Sequence, residues 1–289
     1  MESRKVREGV VPFRQWRTWY RIVGEFDARP PLICVHGGPG SSHHYFARLE
    51  ELAQTRRAVL LYDQIGCGGS THLPVGQLDS AVFVAELANL RAKLGLDRVF
   101  VLGTSWGGML AIEYALTQPT GLLGLVLNST LASAPTWAAE AARLRDAMPE
   151  EVREALRTKD VDDPAYKEAE RAFNARHFCR LGQPPEIERM AQARSQDVYR
   201  AMWGPNEWTM TGKLAGWDVR DRLHEITVPT LLTAGRHDLC TPLILKQLQE
   251  GFPDAPTILF DNSSHTPYLE EPRAFLRELE TFLDRHDPS

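Results

Sequence analysis

Three side chains, each placed just beyond a short apolar run, could do chemistry together in this sequence. A serine lies in Gly103-Thr104-Ser105-Trp106-Gly107-Gly108, after the run Val99-Phe100-Val101-Leu102 and before the helical run Met109 to Leu116. A strand, a tight turn and a helix hold such a serine with its hydroxyl exposed, and the flanking glycines leave room for the reversal. Asp238 stands three residues past the run Val228 to Gly235, and His265 five past Thr257 to Phe260. Serine at its free pKa is a weak nucleophile and needs a base in hydrogen-bond reach. A histidine can take that proton and return it to a leaving group, and a carboxylate fixes the imidazole tautomer and stabilises the imidazolium. Ser105, His265 and Asp238 are therefore the expected nucleophile, base and orienting acid. Asp221 and Asp261 compete for the acid's part, but Asp221 precedes its strand and Asp261 shares the histidine's own loop.

G-x-S-x-G alone is weak, since composition produces it in roughly one chain in ten of this length. The order of the parts is more specific. Ser, then Asp, then His is the order of α/β hydrolases and not of other serine hydrolase folds. A second glycine loop, His36-Gly37-Gly38-Pro39-Gly40, follows the apolar run Leu32-Ile33-Cys34-Val35. Backbone amides at such a strand end can reach a ligand closely. The expected oxyanion donors are the N–H groups of Trp106 and of Gly38 or its neighbour. His36 reads as a structural histidine beneath that loop. The adjacent pair His43-His44 points about 100° apart on a helix, which is wrong for a shared metal. The loop Asp63 to Ser70 lacks the Gly-Lys-Ser/Thr of a phosphate-binding loop.

These residues need a scaffold of buried strands. Val6 to Phe13 and Gln15 to Val23 read as two successive strands, followed by a turn at Asp27 to Pro31. The continuous apolar run at 32–35 reads as a strand covered on both faces, as in a parallel sheet, 58–62 as the next buried strand, and 99–102, 123–128, 228–235 and 257–260 as further strands. Helical patterns alternate with them: 45–53, 75–95, 109–116, 243–250 and 272–283. From about 132 to 220 the strand signal stops, and helices are expected at 137–147, 150–158, 164–180 and 185–202. The predicted organisation is an α/β-hydrolase fold, a mostly parallel central sheet with helices on both faces. Residues 1–131 and 221–289 form the core, and 132–220 an inserted all-helical cap over the strand ends. The cap ends in Met202-Trp203-Gly204-Pro205-Asn206-Glu207-Trp208. Three of the seven tryptophans fall between 203 and 217, which suggests the wall of a pocket as much as a core. Gly37, Trp203 and Trp208 are candidates for lining it. Glu207 could be a solvated loop carboxylate or a buried partner for a cation.

A net charge of -5 gives no reason to expect nucleic acid or an anionic membrane as a partner. The polar start, Met1 to Lys5, lacks the apolar stretch of a signal peptide. No apolar run approaches the ~20 residues that span a bilayer. The four cysteines, at 34, 67, 179 and 240, show no metal spacing. Cys34 and Cys240 read as buried thiols. A cytoplasmic enzyme without metal or other cofactor is expected, and its oligomeric state is left open.

Taken with the stretches 36–40, 63–70, 103–108, 203–207 and Ser263-Ser264-His265, the chain resembles the proline iminopeptidase family of α/β hydrolases, tricorn-interacting aminopeptidases included. The resemblance spans nearly the whole chain except the helices from Trp137 to Arg200. It implies release of an N-terminal residue, often proline, from short peptides or amino-acid amides through an acyl-enzyme. It also implies that cap carboxylates hold the substrate's free amine, with Glu207 matching one of them in its Gly-Pro-x-Glu segment. One departure stands out: relatives of this type often carry a glutamate directly after the catalytic aspartate, where this chain has Leu239. That leaves room for a second reading, an esterase, lactonase or other acyl hydrolase of small apolar substrates. A slow-turnover binding protein is a more distant third.

Overall fold

The computed structural model describes residues 5–26, 29–158 and 160–288. The polar start at 1–4, and Asp27 and Ala28 of the expected turn, lie outside the described residues. Eight strands form one sheet: β1 Val6–Phe13, β2 Trp16–Val23, β3 Leu32–Val35, β4 Val59–Tyr62, β5 Val99–Thr104, β6 Leu122–Asn128, β7 Thr230–Gly235 and β8 Thr257–Phe260. Their spatial order is β1-β2-β4-β3-β5-β6-β7-β8. The hairpin β1–β2 is antiparallel and joins β4 antiparallel, and from β4 to β8 all pairs are parallel.

The inner parallel strands are mainly apolar because each feeds two cores, whereas β8, at the sheet edge, is only partly buried before Phe260. Ile33, Val35, Leu60, Val101, Leu127 and Leu232 pack on one face with α1 Ser80–Lys93, α2 Trp106–Leu116 and the later helix at 242–251. Leu32, Cys34, Leu61, Leu102, Val126 and Leu231 pack on the other, under the segment His43–Thr55 and the C-terminal helix. A one-residue slip would exchange these sets, so burial on both sides pins the register.

Between β6 and β7 the chain runs through α3 Ala134–Asp146, α4 Glu150–Leu156, α5 Pro164–His177, α6 Pro185–Ala193 and α7 Gln196–Met202. This excursion leaves and returns through a narrow neck. The Ala134 N–H donates to the Trp217 carbonyl at 2.8 Å, and the Val219 N–H to that of Ala132 at 2.9 Å. After β7 come α8 Pro242–Gly251, the short α9 Pro267–Glu270 and α10 Pro272–Arg285. Among the described residues, no helix is long and apolar enough to cross a membrane.

Three expected helices differ in detail. His43–Thr55 winds as a 3-10 helix, and the His43 N–H that begins it is taken by the Asp63 carboxylate at 2.8 Å. The stretch 75–95 breaks, because Asp79 caps α1 by accepting the Val82 N–H at 2.8 Å. The expected single helix 185–202 is two helices. At the break the Ser195 N–H donates to the Gly40 carbonyl at 2.7 Å, and the Ser195 hydroxyl caps α7.

Candidate active site

Ser105 sits between β5 and α2 with φ 57° and ψ −125°, a conformation that L side chains rarely adopt. The surroundings enforce it. A Cβ on Gly103 would overlap the Gly107 carbonyl, and one on Gly107 would overlap that of Val35, so strand and helix close on each other only with glycine at both places. The turn is tied down further by the Thr130 hydroxyl, which donates to the Ser105 carbonyl at 2.6 Å.

His265 and Asp238 arrive from the ends of β8 and β7. Their Nδ1 and Oδ1 lie 2.7 Å apart, with both residues buried. Asp238 is itself held: its Oδ1 accepts the Cys240 N–H at 2.9 Å and its Oδ2 the Gly235 N–H at 3.4 Å. Carboxylate acceptance makes Nδ1 the protonated nitrogen and leaves Nε2 free as a base. The Trp137 edge and the Phe178 ring stand 5.9 and 5.4 Å from the imidazole centroid. Ser105 and His265 line one cavity of about 750 Å³. The Ser105 hydroxyl makes no hydrogen bond among the described residues, as is common for such sites before substrate docks. The competing aspartates lie elsewhere. Asp261 pairs with Arg236 at 2.8 Å, and Asp221 borders a separate cleft beside Arg220 and His224.

Burial pushes the His265 pKa down, but the charge and hydrogen bond of Asp238 outweigh it, Glu207 and Glu270 add to them, and the net shift is upward. A base must be neutral, so with His265 in the base's place activity is expected to fall as pH drops through its pKa. The acid limb of kcat/KM is therefore expected above the ordinary ~6.5 of free histidine. Binding a cationic amine beside Glu207 would cancel that carboxylate's share. The limb of kcat is then expected below that of kcat/KM, and paired pH profiles with an amine substrate check this.

The His36–Gly40 loop lies beside the elbow, so close that a Cβ on Gly37 would meet the Ser105 Cβ at 3.0 Å. The Gly37 N–H is committed to the Tyr45 hydroxyl. Gly38, at φ +112°, lines the cavity, and so does Gly37. The Trp106 N–H heads α2, where first-turn amides have no partner within the helix. Its indole is buried and donates to Gln64 Oε1 at 2.8 Å. His36 is fully buried, and that burial lowers its pKa to about 4. Its Nε2 accepts the Gln64 N–H at 3.0 Å, which makes it a structural histidine.

Glu207 lines the same cavity as Ser105 and His265. Its Oε1 accepts from the Tyr199 hydroxyl at 2.6 Å and its Oε2 from the Trp137 indole at 3.0 Å. No cationic side chain of the described residues pairs with it. Trp208 and Leu239 also line the cavity. The expectation for Trp203 is corrected: it is buried behind the wall, 2% exposed, packed edge-to-face on Trp137 at 6.3 Å, and absent from the lining. Its place at the end of α7 turns its ring inward. Four relevant residues were missed in the sequence: Tyr199, Trp137, Phe178 and Glu170. Glu170 on α5 borders the cavity with its carboxyl raised by burial. All four sit in or beside cap helices with ordinary helical spacing, so nothing local marks them.

The comparisons agree with this geometry. The family model described as alpha/beta hydrolase fold matches residues 30–272. A proline iminopeptidase of Lactobacillus delbrueckii subsp. lactis is 40% identical over 294 residues, covering 98% of this chain and 100% of that protein. The chain belongs to the proline iminopeptidase family of α/β hydrolases. Two solved structures of similar proteins superpose closely. VinJ has a TM-score of 0.93 at 40% identity, covering 97% of this chain and 99% of that one. The proline iminopeptidase of Mycobacterium smegmatis has a TM-score of 0.90 at 38% identity, covering 97% and 98%. As a member of this family the chain is a hydrolase, and the α/β-hydrolase fold expected from the motif order stands.

Proposed function

We propose that this hydrolase releases an N-terminal residue, proline or another small apolar one, from short peptides or amino-acid amides, with Ser105, His265 and Asp238 as its catalytic triad. The observation that carries the substrate class is Glu207: a carboxylate held by Tyr199 and Trp137, without a cationic partner among the described residues, in the cavity of Ser105 and His265. A half-buried unpaired carboxylate is costly unless something charged comes to it, and the free amine of a peptide fits that need. With the amine there, the first carbonyl is to lie at Ser105, which lines the same cavity. His265 Nε2 takes the hydroxyl proton as Oγ attacks, and the N–H groups of Gly38 and Trp106 receive the developing oxyanion. His265 then protonates the leaving amine, and water repeats the sequence on the acyl-enzyme. Residues 132–220 act as the cap, closed at its neck by the 132–134 and 217–219 pairing. The four cysteines are free and buried, which suits a reducing cytoplasm.

Leu239 favours a second reading. It puts an aliphatic side chain where a carboxylate would strengthen amine binding, and Phe173, Phe178, Ile187 and Met190 make much of the lining apolar. An esterase or lactonase of small apolar substrates would use the same triad. Release of p-nitroaniline from prolyl, alanyl and phenylalanyl p-nitroanilides, beside p-nitrophenyl butyrate, separates the two. Anilide cleavage that N-acetylation abolishes is the expected result. Ester cleavage alone, indifferent to a free amine, would overturn the amine reading.

A further inference from the structure

The two proposed oxyanion donors lie on separate segments, the loop after β3 and the start of α2, and one side chain bonds to both. Gln64, fully buried at the end of β4, accepts the Trp106 indole N–H on Oε1 at 2.8 Å. Its Nε2 donates to the His36 carbonyl at 2.8 Å, and its own N–H donates to His36 Nε2 at 3.0 Å. The Gln64 carbonyl accepts from the Cys67 thiol at 3.0 Å and the Cys67 N–H at 3.2 Å. The loop that carries it is held from below, where Glu86 accepts the Ile65 N–H at 3.0 Å. We infer that Gln64 is a positioning residue that sets the spacing between the Gly38 and Trp106 amides, and so the fit of the oxyanion hole.

The chemistry of an amide suits this position. The Trp106 indole only donates and the His36 carbonyl only accepts, so the bridge needs an acceptor and a donor on one planar group. Glutamate would keep the acceptor and turn its second oxygen against the His36 carbonyl. Methionine would keep the length and lose both bonds. The bond to His36 acts two residues before Gly38, and the bond to Trp106 on the donor residue itself. Neither touches the cavity, for Gln64 is not among its lining residues. Loss of the bridge should therefore leave substrate binding nearly intact and weaken the transition state, because oxyanion donors act only on the charge that develops there.

The inference rests on the acyl-transfer part of the proposed function and not on the amine site, so its test uses p-nitrophenyl butyrate. Active sites are first titrated with a fluorophosphonate, so that each rate refers to folded, reactive enzyme. For Gln64→Met, kcat per titrated site is expected to fall about 10–100-fold with KM within about twofold. Inhibition by butylboronic acid, whose boronate oxygen occupies the oxyanion hole, should weaken by the same factor, while competitive inhibition by butyrate stays unchanged. Trp106→Phe, which keeps the backbone N–H but removes the indole N–H together with one ring of a buried side chain, should show at least part of the same loss, and the double variant should lose less than the product of the two. A Gln64→Met kcat within twofold of wild type overturns the inference, and so does a loss that leaves boronate inhibition unchanged. If the fluorophosphonate does not react at Ser105 in the wild type, the acyl-transfer reading falls and takes this inference with it. If it does react, and as fast in Gln64→Met, the inference alone falls.

Discussion

Ser105→Ala is expected to lower kcat about 10⁶-fold on every substrate while the melting temperature stays within a degree or two. The size of the loss follows from the unit in which the serine acts. On the proposed roles, without it His265 has no proton to take and no acyl-enzyme forms; only the proposed oxyanion donors and binding remain, and in a comparable triad that remainder of activity is small. The unchanged stability follows from the structure. The Ser105 hydroxyl makes no hydrogen bond among the described residues, so its removal leaves no buried partner unsatisfied. Alanine keeps the Cβ and meets the same unfavourable φ of 57° that serine already occupies. Turnover per milligram and a thermal melt, made on one preparation, check both halves. Retention of more than about a thousandth of the activity would mean that another group carries the chemistry.

Glu207→Gln is expected to raise KM for substrates with a free amine about 10–100-fold, with kcat and the hydrolysis of p-nitrophenyl butyrate little changed. The factor corresponds to about 1.5–3 kcal/mol for a hydrogen bond to a charged group. The substitution is clean because the site can absorb it. The Trp137 indole is only a donor, so the new amide oxygen must face it. The amide nitrogen then faces Tyr199, whose hydroxyl rotates from donor to acceptor. Both bonds survive in reversed form and only the charge is lost. That charge also contributes to the raised pKa of His265, so the acid limb measured on the ester should move to lower pH. Unchanged KM on amine substrates would remove Glu207 from the amine site and strengthen the esterase reading.

The inner parallel strands could be seen in the sequence because they are buried on both faces. A strand such as Leu32–Val35 then has no polar position to interrupt the run, and its end is marked by glycine where the loop must pack against Ser105. Ser105, Asp238 and His265 could be ordered for the same reason, each being fixed to a strand end by only a few residues of chain. The run of helices between β6 and β7 was legible as helices but not in its details. Trp203 and Trp208 lie five apart in a loop without periodicity, and only the packing of Trp203 on Trp137 decides which of them faces the cavity. Tyr199 and Trp137 orient Glu207 from two different helices, α7 and α3, and no spacing in the chain connects those helices. The break between α6 and α7 was hidden too, since what stops the helix is the Gly40 carbonyl, some 150 residues earlier in the sequence.

That same bond ties the corner of the cap to the glycine loops. Besides the Ser195 N–H on the Gly40 carbonyl, the Gly68 N–H reaches the Ala193 carbonyl at 3.4 Å, and the Val198 side chain crowds Gly66. The corner and the two loops are thus a single interlocking part although they lie far apart in the chain. A cap transplanted from a relative would bring a foreign corner onto native loops and loosen the segment that carries Gly38. Chimeras in this family should therefore exchange the 36–40 and 63–70 loops together with the cap, as one cassette.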